Sequence, residues 1–164
     1  MNAIALTLGE LHRGEENLER ALRAAAERHG SEVEVHHVAL DLARWSREHS
    51  DRLAALGPQY GTDGDGTTGT TGPTAGEAGA GVAGGGSDPP DLPDGLVLLR
   101  DLGRLHLAAV WNSLHWEMLA QAAQATRDQR LLEACTACHP QTIRQMKWAN
   151  TMIKNLSPQV LSSL

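Results

Sequence analysis

The chain has 164 residues and a formal net charge of −6. One domain fits that length. The acidic surplus, with no basic run anywhere, excludes nucleic acid as the expected partner, because phosphate recognition needs a concentrated basic face. Phe is absent and four Trp are present, so a core must be built mainly from Leu, Ala, Val and Trp, while eight His are the first hint of chemistry.

From the N-terminus, Ile4, Leu8, Leu11, Leu18, Leu22 and Ala25 recur at helical spacing and form one stripe. Gly30 is placed to stop this first helix. Ser31 then opens a second, with Glu34 three residues on as a capping box. Val35, Val38, Leu42, Trp45, Leu53 and Leu56 form its stripe, and Gly57-Pro58 ends it. So short a connection makes the two helices an antiparallel hairpin.

The segment from Gly57 to Gly95 holds 13 of the 17 glycines and has no apolar period. A composition of Gly, Thr and Asp cannot offset its ordering entropy, so residues 57–94 read as a disordered linker, stiffer at Asp88-Pro89-Pro90. Removing residues 62 to 86 is expected to change stability by only about 1 kcal/mol, as loop-closure entropy varies slowly with length.

A third helix is expected from about Gly95 to Ala125, with Leu98, Leu102, Leu105, Ala109, Trp116, Leu119 and Ala123 inward. Asp128 is a suitable N-cap for a fourth, whose stripe is Leu131, Cys135, Thr142, Met146, Ala149, Ile153 and Leu156. Pro140 predicts a kink or restart near His139, and Ser157-Pro158 an end. The expected fold is therefore all-α: an antiparallel four-helix bundle of two hairpins, residues 1–56 and 95–164, joined by the long Gly-rich linker. Such a linker permits either a simple up-down order or one long crossover.

Glu15 interrupts the first stripe where an apolar residue belongs. A buried carboxylate needs a partner or a metal, and antiparallel pairing sets it level with Trp45 and one turn from His49. Glu34 and His37 have the Glu-x-x-His spacing that lets both side chains ligate a metal from one helical face, although Glu34 also suits the capping box. His106 and Glu117 share a face of the third helix. His115 and Glu117, two apart, cannot both point inward. Cys135, Cys138 and His139 match the C-x-x-C-H pattern of covalent haem attachment, in which two thioethers and an axial His hold the group. Small core cysteines are the competing account.

The hairpin, long connection, hairpin layout resembles the ferritin-like superfamily. That resemblance implies an iron or manganese site with possible redox activity. Its ligands would be Glu15 from the first helix, Glu34 with His37 from the second, Glu117 from the third and His139 from the fourth. The fourth helix departs from the pattern, since Glu133 stands six residues before His139 rather than three. The stretch from Cys138 to Asn150 is also similar to actinobacterial helical-bundle proteins.

No apolar run approaches the ~20 residues of a membrane span, and the N-terminus lacks the basic and apolar regions of an export signal. A cytoplasmic protein with free thiols is expected. The primary functional expectation is a module that binds a protein partner or self-associates. A ferritin-like metal protein and a haem protein are the alternatives.

Overall fold

The computed structural model describes residues 2–61 and 91–163. These form four helices: α1 (Ala3–Arg28), α2 (Val33–Leu56), α3 (Asp94–Thr126) and α4 (Gln129–Ser162), with a 3-10 turn at Gly57–Tyr60. No strand occurs among the described residues. The greater part of the expected linker, residues 62–90, lies outside them.

Each helix begins or ends for a local reason. The Asn2 side chain accepts from the Ile4 and Ala5 amides and caps α1. The capping box expected at Ser31 does not form. Glu32 takes the N-cap position without a side-chain bond, and Glu34 is exposed in the first turn of α2. There its charge complements the helix dipole. The chain is instead tied back by His36, whose Nδ1 donates to the Ala26 carbonyl at 2.7 Å. The end of α2 runs on into the 3-10 turn, which Gly61 closes at φ +80°, a left-handed conformation that suits glycine. Residues 57–61 of the expected linker thus form an ordered turn. Asp128 caps α4 as expected, accepting from the Leu131 amide at 3.1 Å and from the Tyr60 hydroxyl.

Neither proline ends α4, which runs through both Pro140 and Pro158. Each proline deprives the carbonyl four residues earlier of its donor. Thr136 and Pro140 are exposed, as are Lys154 and Pro158, so both defects sit on the solvent side of the helix. Burial of the opposite face holds the helix through them.

Paired residues fix the topology. Glu15 meets His49, and Ala26 meets His36, so α1 and α2 run antiparallel. Arg28 meets Asp101 and Glu15 meets Trp116, so α3 is antiparallel to α1. Leu42 meets Gln145 and Gln59 meets Arg130, making α4 antiparallel to α2; Ser113 with His139 and Gly95 with Val160 do the same for α3 and α4. The order is up, down, down, up. The chain leaves α2 where Tyr60 touches Asp128 and enters α3 at the opposite end, where Gly95 lies against Val160. The long crossover is thus the order adopted.

The interior divides into two apolar clusters. One holds Leu18, Leu22, Ala39, Leu98, Leu102 and Leu105; the other holds Leu8, Leu11, Leu53, Trp116, Leu119 and Leu131. Every position of the third expected stripe is buried, and in the other three Ile4, Val38, Trp45, Met146, Ile153 and Leu156 are half-buried. Between the clusters lies a polar layer.

Candidate functional site

All four helices contribute to that layer. Glu15 comes from α1, Ser46 and His49 from α2, Asn112 and Ser113 from α3, and Thr142 and Gln145 from α4, all buried. Each stands at a position that its helix's apolar stripe would otherwise fill. The chain can hold these groups only because most are paired, since an unpaired buried polar group is costly.

Glu15 is fully enclosed at 0% exposure. Its Oε1 accepts from His49 Nδ1 at 3.2 Å and from Trp116 Nε1 at 3.0 Å. The partner is therefore Trp116 of α3, not Trp45 of α2. His49 also donates through Nε2 to Gln141 Oε1 at 2.7 Å. With an acceptor at each ring nitrogen, the geometry is that of an imidazolium beside a carboxylate. Burial alone lowers the His49 pKa. The hydrogen bond and charge of Glu15, with Gln141 and Glu48 adding, outweigh it and hold the pKa above its ordinary 6.5. The Trp116 ring meets His49 edge-on at 5.8 Å. Glu15 Oε2 has no protein partner, nor has Gln145 Oε1, nor either polar atom of the Asn112 amide. Gln145 Nε2 donates to the Leu42 carbonyl and to Ser46 Oγ, each at 2.9 Å.

A second buried carboxylate sits near the end of the bundle where α3 begins. Asp101 receives Arg28 Nη1 at 2.9 and 2.8 Å, His29 Nε2 at 2.7 Å and Arg104 Nη1 at 3.2 Å. That cluster clamps the α1–α2 turn onto α3.

The structure separates the residues that the ferritin-like resemblance puts together. Glu15 is at mid-bundle, Glu34 and His37 are exposed in the first turns of α2, and Glu117 is exposed on α3. His139 is half-buried, its Nε2 2.8 Å from Ser113 Oγ. Among the described residues no three of His, Cys, Asp or Glu converge on a point that could hold an ion. The di-iron donor set therefore does not fit: the layer supplies one carboxylate and one imidazole, and these face each other. In the C-x-x-C-H stretch, Cys135 and Cys138 are enclosed in the cluster of Leu11, Leu53, Leu119 and Leu131. Burial pushes the Cys135 thiol up to about 11 and the Cys138 thiol to about 12, which suits inert core groups rather than open attachment points.

Sequence reasoning found Glu15 but not the layer around it. The available signal was the polar break in every stripe: Ser46 and His49 between Leu42 and Leu53, Asn112 and Ser113 between Ala109 and Trp116, Gln145 between Thr142 and Ala149. It also missed the inward turn of His115, whose Nδ1 donates to the Trp111 carbonyl at 2.8 Å and whose Nε2 lies 3.2 Å from Glu10 Oε2.

The outer surface of α3 carries a different feature. Leu107, Trp111, Leu114 and Met118 are 46%, 40%, 50% and 50% exposed. Their spacing of four, three and four residues aligns them along one seam. No charged residue occurs from Leu105 to Trp116, so α3 is apolar on two faces, one buried and one in solvent. Trp111 is held by its neighbours, its ring 4.5 Å from that of His115 and against the backbone of Gly14. No helix among the described residues is long and apolar enough to cross a membrane.

No family model matches this chain, and no curated protein or solved structure matches it.

Proposed function

We propose that this protein is a helical interaction module that associates through the outer face of α3. The observation that carries the reading is the aligned, solvent-facing seam of Leu107, Trp111, Leu114 and Met118. Together these side chains expose roughly 400 Å² of largely apolar surface, the size of the largest patch on a typical monomer, which is often functional. Trp and Met are enriched at the cores of such sites. The remaining large exposed hydrophobics, Leu6, Val33 and Leu161, lie on other helices.

A photo-crosslinking amino acid placed at position 114 and activated in the cell tests the reading, with position 44 on the outer face of α2 as control. Covalent adducts at 114 and none at 44 are expected. Equal labelling, or none, overturns it.

A bundle that holds a single metal ion through Glu15, without the di-iron donor set, is the second reading. Its supports are the crossover order and the unpartnered Glu15 Oε2. A stoichiometric iron, manganese or zinc ion that Glu15→Gln removes would carry it. Metal-free protein, expressed with metals supplied and purified without chelator, would sink it. An absorption spectrum without a Soret band disposes of haem on the same sample.

A further inference from the structure

We infer that the polar layer at mid-bundle is a binding site for enclosed water, held between Glu15 Oε2, the Asn112 amide and Gln145 Oε1. Among the described residues, five buried side-chain atoms lack a hydrogen-bond partner, and these three groups supply four of them; the fifth is Trp148 Nε1. Glu15, Asn112 and Gln145 come from three different helices and are 0%, 0% and 2% exposed, so bulk solvent does not reach them. They also lie together. Asn112 stands one turn from Trp116, whose indole donates to Glu15, and its amide packs against the backbone of Gly14. Gln145 stands one turn from Gln141, which accepts from His49, and it donates to Ser46, which shares a helical face with His49. Each orphaned group is thus within a turn of the Glu15–His49–Trp116 contact.

The orphaned atoms name the guest. Glu15 Oε2, Gln145 Oε1 and Asn112 Oδ1 accept hydrogen bonds, and Asn112 Nδ2 donates them. A molecule that gives two hydrogen bonds and takes one or two complements that set. Water does so in the smallest volume, and internal waters typically have two to four such partners. Charge favours water over an ion. The Glu15 carboxylate is already matched by the His49 imidazolium, 3.2 Å away. A cation added to the layer would stand uncompensated, and an anion would face Glu15. Room comes from side-chain size, since Ser46 and Ser113 are smaller than the leucines that fill the apolar clusters on either side. Water there gives Glu15 Oε2 the donors that the protein does not. An ion pair held away from solvent depends on such hydrogen bonds to its remaining lone pairs.

Rotating-frame Overhauser spectra of the full chain, labelled with nitrogen-15, test the site directly. A cross-peak between water and the Asn112 side-chain amide protons is expected, with the sign of direct contact rather than of exchange. Oxygen-17 relaxation dispersion should count at least one long-lived water fewer in Asn112→Leu than in the wild type. A wild type without the cross-peak overturns the inference, as does a folded Asn112→Leu that keeps the same count. Should Asn112→Leu not fold, the wild-type cross-peak decides alone. A stoichiometric metal ion that Glu15→Gln removes also overturns the inference, and it carries the metal reading in its place.

Discussion

Glu15 receives both of its donors, the His49 imidazolium and the Trp116 indole, on one oxygen, and all three side chains are enclosed. Leu at position 15 would suit the stripe but would strand a buried cation and a buried N–H. Glu15→Leu should therefore cost about 3–5 kcal/mol, as breaking a buried pair from one side does. Removing both partners in Glu15→Leu/His49→Leu should recover most of that loss. Chemical denaturation of the two single variants and the double variant measures it, and an additive double variant would mean the pair is not coupled. The same pair sets a pH dependence. The folded His49 pKa lies above 6.5, so folding binds a proton that the unfolded chain releases more readily. That stabilisation is fully present below pH 6.5 and is lost as pH rises through the folded value. The melting temperature of the wild type should fall across this window, and Glu15→Gln should flatten the slope. The two cysteines give a check of another kind. With raised pKa values and almost no exposure, neither should react with an alkylating agent at pH 8 until the protein unfolds.

At the scale of the helices, the inward stripes were legible because burial of one face leaves a period of 3.6 in the sequence. Leu98, Leu102, Leu105, Ala109, Trp116, Leu119 and Ala123 are all buried as that period requires. Periodicity says less about neighbours, which is why Trp45 rather than Trp116 looked like the partner of Glu15. It also says little about caps and breaks, where side chains from other helices decide the outcome. The second face of α3 was hidden for the opposite reason: when apolar residues occupy both sides, the period blurs. The unequal burial of the two tryptophans has a measurable consequence. Trp116→Ala should cost about 3–5 kcal/mol as a fully buried aromatic, and Trp45→Ala, half-buried, roughly half as much. Gly14 marks the close crossing of α1 and α3, since a Cβ there would overlap the buried Asn112 amide. Gly14→Ala should therefore destabilise the fold despite the roughly 1 kcal/mol gain in helix propensity. A more stable Gly14→Ala would mean that Asn112 can turn away without cost.

The whole molecule constrains its own connection in a way that composition does not reveal. Loop-closure entropy alone makes the segment between the hairpins look dispensable, but the up, down, down, up order sets a minimum span for it to bridge. Along α4 the two ends of the crossover are marked by Arg130, beside Gln59, and Val160, beside Gly95. At ~1.5 Å per residue these levels lie about 45 Å apart. Removing residues 62–86 leaves ten peptide steps from Tyr60 to Gly95, which reach at most roughly 35 Å at ~3.5 Å each. That deletion must melt helix ends, reorder the bundle or exchange hairpins between chains. Removing residues 70–81 leaves a reach of roughly 80 Å and should change stability by less than about 1 kcal/mol. Thermal melts and solution mass of the two deletions test the topology together. The shorter deletion should melt with the full chain, and the longer should melt earlier or double in mass. A longer deletion that remains a monomer and melts with the full chain would require α2 and α3 to be joined at the same end of the bundle, which the contacts of Tyr60 with Asp128 and of Arg28 with Asp101 do not allow.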